Sequence, residues 1–425
     1  MIRRIQALNY RCLRHLDVSL GRFHLLAGPH GTGKSTLFDL LVFLGDLVRE
    51  GPNAAVRKRT DDFRDLVWAR PDEDPGFELA IEFEIPESCR DLLPEDRDFQ
   101  IYRYEVAVRG SGEGVRIHHE RGILLPAPKP APAQANLFPE MPAPPRTVLA
   151  GGRPGWSTVL SKTPAGNDRF QRETDEDRGW DVRISLGPHR SALGSLPDSP
   201  DTMPVATALK DFLTGGVRLL RLEGGALGRA SPPHLARMGL TADGGNLPWV
   251  VKRLRDEHAA GFQAWLAWTG AVLPGLADVD VAEREVDRHA YLVLRYAGGL
   301  KVPSGLESEG VLRLLALGLL PHLPEKGRIH LVDEPESGVH PAALSALGES
   351  LASVDRSQLL AATCSPALVE RAEPEELICF ARNAEGVIGV IKGSEHPLLS
   401  RREGPVDAGV VIAGESAADV PPAVD

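Results

Sequence analysis

Two clusters of residues near opposite ends of this sequence could do chemistry together. Gly28-Pro29-His30-Gly31-Thr32-Gly33-Lys34-Ser35, followed by Thr36, satisfies the spacing G-x-x-x-x-G-K-[ST]. Glycines at these places let the backbone wrap closely around phosphates, so that main-chain N–H groups and the positive end of the following helix face negative charge. Lys34 adds a compact cation for the β- and γ-phosphates, and the Ser35 hydroxyl is a hard oxygen ligand suited to Mg²⁺. The stretch Gly28–Thr36 therefore predicts a site for ATP and Mg²⁺. Toward the other end, Ile329–Glu334 (IHLVDE) reads as an apolar strand ending in two carboxylates. Beside a phosphate loop, Asp333 would hold the Mg²⁺ through water, and Glu334 would polarise the attacking water as general base. Catalytic roles thus fall to Glu334 and Lys34, and metal-ligand roles to Ser35 and Asp333.

These residues need a scaffold. FHLLAG (Phe23–Gly28) is a continuous apolar run ending in glycine, as in a buried strand, and TLFDLLVFLGDLV after the loop has helical apolar spacing. Strand, glycine-rich loop and helix form the context a phosphate loop requires. IRRIQAL and DVSL alternate as two short strands before it. Within 77–125, FELAIEFEI, IYRYEVAVR and VRIHHERGILL alternate with period two, as half-exposed antiparallel strands do. Pro126–Pro145 carries eight prolines in twenty residues and is expected to be a mobile surface loop. A strand is expected near Trp180–Leu186 and one helix over 247–272. VLRLLALGLLPHL and PAALSALGESLASV read as helices, and IHLVDEP, QLLAATCSP, ELICFAR and GVIGVIKG as strands. The fold expectation is α/β: a head of mixed antiparallel and parallel sheet flanked by helices, split in sequence between 1–50 and 300–400. Residues 51–125 would add antiparallel strands, 126–299 a large mixed α/β inserted lobe, and 401–425 a flexible tail.

Bulk properties narrow the setting. Lys and Arg number 48 against 59 Asp and Glu, a net charge of 48 − 59 = −11. Such a surface does not coat nucleic acid nonspecifically. The basic run Arg57–Arg59, with Arg49 and Arg64, could still line a local groove, but it reads first as a solvated face. No apolar stretch is long enough to span a bilayer. Cys12, Cys89, Cys364 and Cys379 form no C-x-x-C pair and suit a reducing cytoplasm. His118, His119 and His189 lack partners at metal-ligand spacing.

Several segments together resemble the RecF/SMC-like branch of ABC-type AAA ATPases. DEPESGVHP (Asp333–Pro341) is similar to their Walker B and D-loop, NYRCL (Asn9–Leu13) to the segment that opens them, and GLESEGVLRLLAL (Gly305–Leu317) to their short signature. ADGGNLPWV (Ala242–Val250) is similar to a segment of single-chain members. The resemblance implies a P-loop ATPase head that dimerises head-to-head around ATP. Ser308 and Gly310 would then reach the nucleotide of the partner head, Arg313 would take the family arginine's place, and Asn9 and Arg11 would lie at the protomer's own nucleotide. It also implies a homodimer or higher oligomer working with a separately encoded effector or with DNA, in antiphage defence or genome maintenance. Alternatives are a slow ATP-dependent scaffold and a RecF-like DNA repair ATPase. One departure stands out. Where the family has T-H-S-P with a γ-phosphate-sensing histidine, this chain has Thr363-Cys364-Ser365-Pro366. A thiol hydrogen-bonds weakly, so either Cys364 slows turnover or it is simply a small residue at a strand end.

Overall fold

In a computed structural model, residues 1–94, 97–111, 114–127, 144–163, 168–174, 181–196, 201–236, 239–383, 385–396, 399, 409 and 411 are described. The strands in chain order are β1 (Ile2–Tyr10), β2 (Leu13–Ser19), β3 (Phe23–Ala27), β4 (Gly76–Glu84), β5 (Phe99–Ser111), β6 (Gly114–Pro126), β7 (Ser157–Lys162), β8 (Asp168–Gln171) and β9 (Asp181–Ile184). Then follow β10 (Val217–Leu220), β11 (Leu276–Glu283), β12 (Ala290–Tyr296), β13 (Lys301–Pro303), β14 (Ile329–Asp333), β15 (Gln358–Thr363), β16 (Leu377–Arg382) and β17 (Ile388–Lys392). The helices that position the site are α1 (Lys34–Glu50), α2 (Leu247–Glu257), α3 (Ala259–Val272), α4 (Glu309–Gly318) and α5 (Pro341–Ala352).

Three sheets result. An antiparallel sheet runs β2-β1-β4-β5-β6-β7-β8-β9, a second runs β10-β14-β15-β3-β16-β17, and a small third runs β11-β12-β13. In the second sheet every pairing is parallel except β16 with β17. Its central strands β3 and β15 are buried at every position, because both faces are covered.

One face meets α1, which is sandwiched against the antiparallel sheet. Leu37, Phe38, Leu40, Leu41, Phe43, Leu44 and Leu47 of α1 share a core with Ile5 and Tyr10 of β1 and with Leu26, Leu331, Leu360 and Phe380. A helix between two sheets is apolar nearly all round, which explains the TLFDLLVFLGDLV run. The other face, with Leu25, Val332, Leu359 and Ala361, packs against residues of α2 to α5.

Three expectations need correction. The stretch 126–299 is not one inserted lobe. β7–β9 continue the antiparallel sheet by pairing on β6, whose outer edge would otherwise be open, and β10 is the edge of the parallel sheet beside β14. The single helix over 247–272 is two, broken at His258, whose backbone is non-helical (φ −140°, ψ 59°). Nor is the Arg57–Arg59 run all solvated. Arg59 is nearly buried and bonds Asp39 and Asp46 at 2.7 and 3.0 Å, while Lys58 takes Asp46 at 2.8 Å. The expected mobile loop falls largely on 128–143 and the tail on 401–425, which lie outside the described residues save 409 and 411. Among the described residues no helix is long and apolar enough to cross a membrane.

Gln358, fully buried at the start of β15, ties the two large sheets. Its Oε1 accepts from Ile2 N (3.1 Å), and its Nε2 donates to Ile2 O (2.9 Å) and Gly21 O (2.6 Å). Gln358→Met keeps the volume but orphans two buried backbone groups of Ile2, each worth about 1–3 kcal/mol, and the half-buried Gly21 O. We expect a melting temperature lower by several degrees with unchanged nucleotide affinity. An unchanged melting curve contradicts this account of the staple.

Candidate nucleotide site

The parallel register sets the site. Asp333 at the end of β14 pairs with Ala362 of β15, and Thr363 pairs with Ala27 of β3. The carboxyl ends of all three strands therefore lie level, where α/β sheets bind ligands. A cavity of about 260 Å³ opens there, lined by Cys12, His30, Gly31, Thr32, Gly33, Lys34, Ser35, Thr36, Asp333, Glu334, Ala362, Thr363 and Cys364.

The loop after β3 is shaped by glycine. Gly28 (φ 149°) passes so near β16 that a Cβ would lie 2.2 Å from Phe380 O, and Gly33 (φ 91°) turns the chain into α1. Thr32 Oγ1 donates to Pro29 O at 2.8 Å, bracing the loop. Lys34 Nζ donates to Gly28 O and Pro29 O at 2.7 and 2.8 Å, curling over the loop. Burial lowers the Lys34 pKa, against the raising effect of Cys364, Glu336, Asp333 and Glu334. Phosphate oxygens would give this half-desolvated ammonium a better partner than carbonyls do.

Opposite the loop stand the carboxylates. Asp333 accepts from Ser35 Oγ at 3.2 Å through Oδ1 and from Arg221 Nε at 3.1 Å through Oδ2. A hydroxyl and a carboxylate at that separation are the hard oxygen donors that Mg²⁺ takes alongside water and phosphate oxygens, so these two residues fit the ion. Glu334 is exposed at the rim and held in the left-handed region (φ 51°) by its N–H to Ala362 O at 3.0 Å. A non-glycine residue kept there stores strain that the surrounding bonds must hold.

The residues assigned from sequence separate into groups. Gly31 to Thr36, His30, Asp333, Glu334 and Cys364 line the cavity, while Gly28 and Pro29 do not and connect to it through Lys34, whose Nζ bonds their carbonyls. Asn9 and Arg11 do not line it. Both have positive φ (59° and 50°) and shape the β1–β2 turn, and Arg11 bonds Asp39 on α1 at 3.0 Å. The residue of that segment reaching the cavity is Cys12, with Sγ 3.1 Å from Thr36 Oγ1. Ser308 and Gly310 also lie outside this protomer's cavity. Ser308 caps α4 by accepting from Val311 N at 3.3 Å, and a Cβ on Gly310 would lie 2.1 Å from Gly338 O. Arg313 is tied down by Glu309 and Leu222 O, and His340 caps α5.

Sequence reasoning missed three residues. Arg221, one residue past β10, neutralises Asp333, and Arg382 donates to Gly31 O at 2.8 Å. Glu336 Oε1 accepts from Thr363 Oγ1 at 2.8 Å and from Cys364 N at 2.9 Å, fixing the segment after β15. Glu336 had a signal, its place in DEPES. Arg221 and Arg382 sit in no motif.

Phosphate loop, level strand ends and paired carboxylates define a P-loop nucleotide-binding head. The chain belongs to the family described as AAA domain, putative AbiEii toxin, Type IV TA system, whose profile matches residues 23–370. No curated protein matches it. Among solved structures it is similar to an SMC head bound to the C-winged helix domain of ScpA, at 15% identity over 92% of this chain and 97% of that one, TM-score 0.51. At that identity the likeness establishes the fold, an SMC-type ABC head. It is also similar to the Pyrococcus furiosus Smc head with an extended coiled coil and bound ScpA C-terminal domain (13%, 92% and 95%, TM-score 0.48), and to the Thermotoga maritima SMC head (12%, 92% and 98%, TM-score 0.41).

Lys34→Ala should remove detectable MgATP binding in calorimetry, since the phosphates lose the loop's only side-chain cation. Retained wild-type affinity contradicts the assignment of this loop as the phosphate site.

Proposed function

We propose that the protein is a MgATP-hydrolysing switch that dimerises head-to-head around nucleotide. One observation carries this reading: Lys34, Ser35, Asp333 and Glu334 converge on a single cavity although their segments come from opposite ends of the chain. ATP phosphates would draw Lys34 off Gly28 O and Pro29 O, and Ser35 with Asp333 would hold Mg²⁺, which neutralises phosphate charge. Glu334, at the rim, would take the proton of the attacking water.

The dimer reading is supported at α4. Ser308 and Leu306 are exposed there, Leu306 to 80%, next to the helix N-terminus. A hydroxyl, free N–H groups and a helix dipole suit a partner's γ-phosphate. The close packing of Gly310 on Gly338 O connects that helix to the turn four residues after Glu334, so docking on one side can reach the base on the other. Hydrolysis would remove the bridging charge and release the dimer. The role we assign to the switch is antiphage defence or genome maintenance, with a separately encoded effector or DNA as partner, and the family description, which names an AbiEii toxin of a Type IV TA system, is consistent with a chain that works with a partner.

In light scattering, Glu334→Gln should bind ATP, fail to turn it over and accumulate as a dimer. Ser308→Arg should bind ATP as a monomer and fail to associate, its long cation occupying the phosphate seat. ATP-driven assembly of Ser308→Arg equal to wild type sinks the head-to-head arrangement.

A further inference from the structure

Resting on the ATP reading above, we propose that His30 is the imidazole that binds the γ-phosphate oxygens, with Cys364 and Glu336 as its positioning residues. Among the residues lining the cavity, His30 alone carries an imidazole. It sits on the phosphate loop and is exposed to the cavity mouth. Its Nε2 lies 3.3 Å from Cys364 Sγ, which itself lies 3.6 Å from Glu336 Oε1.

The protons in this cluster can be placed. Glu336 Oε1 accepts from Thr363 Oγ1, from Cys364 N and, at 3.6 Å, from the Cys364 thiol. The thiol hydrogen points at that carboxylate, so the sulfur turns lone pairs toward His30 Nε2. Burial, reinforced by the Glu336 charge and the thiol's hydrogen bond to it, raises the Cys364 pKa, so the thiol keeps its hydrogen. With the sulfur accepting, the ring hydrogen sits on Nε2, and a γ-phosphate oxygen would replace the weak sulfur acceptor with a charge-assisted one. The resemblance expects an imidazole at position 364. The structure supplies one from the facing loop, against the very residue that replaces it.

In the reaction, the water oxygen bonds to the γ-phosphorus as the bond to the bridging oxygen of the departing ADP breaks. The water proton passes to Glu334, and the His30 ring shares the growing charge on the γ-phosphate oxygens without releasing its own proton. Such a donor matters more in the transition state than in the ground state. Cys364 and Glu336 act through it. Glu336 fixes the Cys364 backbone, and the thiol holds the ring in one tautomer.

The test compares single-turnover hydrolysis, ATP affinity and the lifetime of the ATP-dependent assembly in His30→Asn, Cys364→Ala, Cys364→Ser and the double variant His30→Asn with Cys364→His. We expect His30→Asn to slow single turnover roughly 10-fold or more, with ATP affinity nearly unchanged and a longer-lived assembly. Cys364→Ser, which keeps an acceptor for the ring N–H, should behave as wild type, and Cys364→Ala should be slowed. The double variant, which returns the imidazole to position 364, should recover the rate. His30 is exposed on a loop, so loss of folding does not confound the single variant. A wild-type rate in His30→Asn overturns the proposal, as does a loss of affinity as large as the loss of rate. A wild type that binds no ATP overturns the ATPase reading and this one with it, and calorimetry makes that failure visible on its own.

Discussion

The structure depends on the parallel register of β14, β15 and β3. Because Asp333, Ala362, Thr363 and Ala27 end level, the carboxylates and the phosphate loop emerge at one edge with a single strand between them. Adjacent strands lie about 4.8 Å apart, so the two groups are separated by about the width a triphosphate and its ion need. A slip of one residue would turn Asp333 to the other face of the sheet. Burial on both faces fixes the register, since the apolar side chains of β3 and β15 join the core around α1 on one face or the α2–α5 layer on the other.

Around that edge the polar groups satisfy one another. Lys34 bonds loop carbonyls, Ser35 bonds Asp333, and Arg221 caps the second oxygen of Asp333. Each of these bonds is one that phosphate or a divalent ion can replace with a stronger, charge-assisted one. Other bonds keep the frame. Arg382 holds Gly31 O, Thr32 holds Pro29 O, and Glu336 holds the segment after β15. The site combines replaceable contacts in its centre with fixed ones at its border.

Much of this was legible in the sequence wherever the signal was local. The strand–loop–helix around Gly28–Thr36 and the apolar strand ending in Asp333 carry their own spacing. Long-range pairing was not. β10 is four residues of unremarkable VRLL, and only its place beside β14 brings Arg221 to Asp333. β7 to β9 are short and interrupted, and they become strands because the edge of β6 is available to them. The NYRCL segment announced itself, but not which of its residues lines the cavity. Its positive-φ residues Asn9 and Arg11 build a turn, and the small Cys12 is what fits beneath Gly33. Cys364 alone could not be interpreted from sequence, because its meaning lies in its contact with His30, far away along the chain.

The most direct test is the rate of phosphate release from saturating MgATP as a function of protein concentration. If one head completes the site of another, the rate per chain must rise with concentration and then level off as dimers fill. A rate per chain independent of concentration would place the whole reaction within a single protomer, and no phosphate release at any concentration would contradict hydrolysis itself.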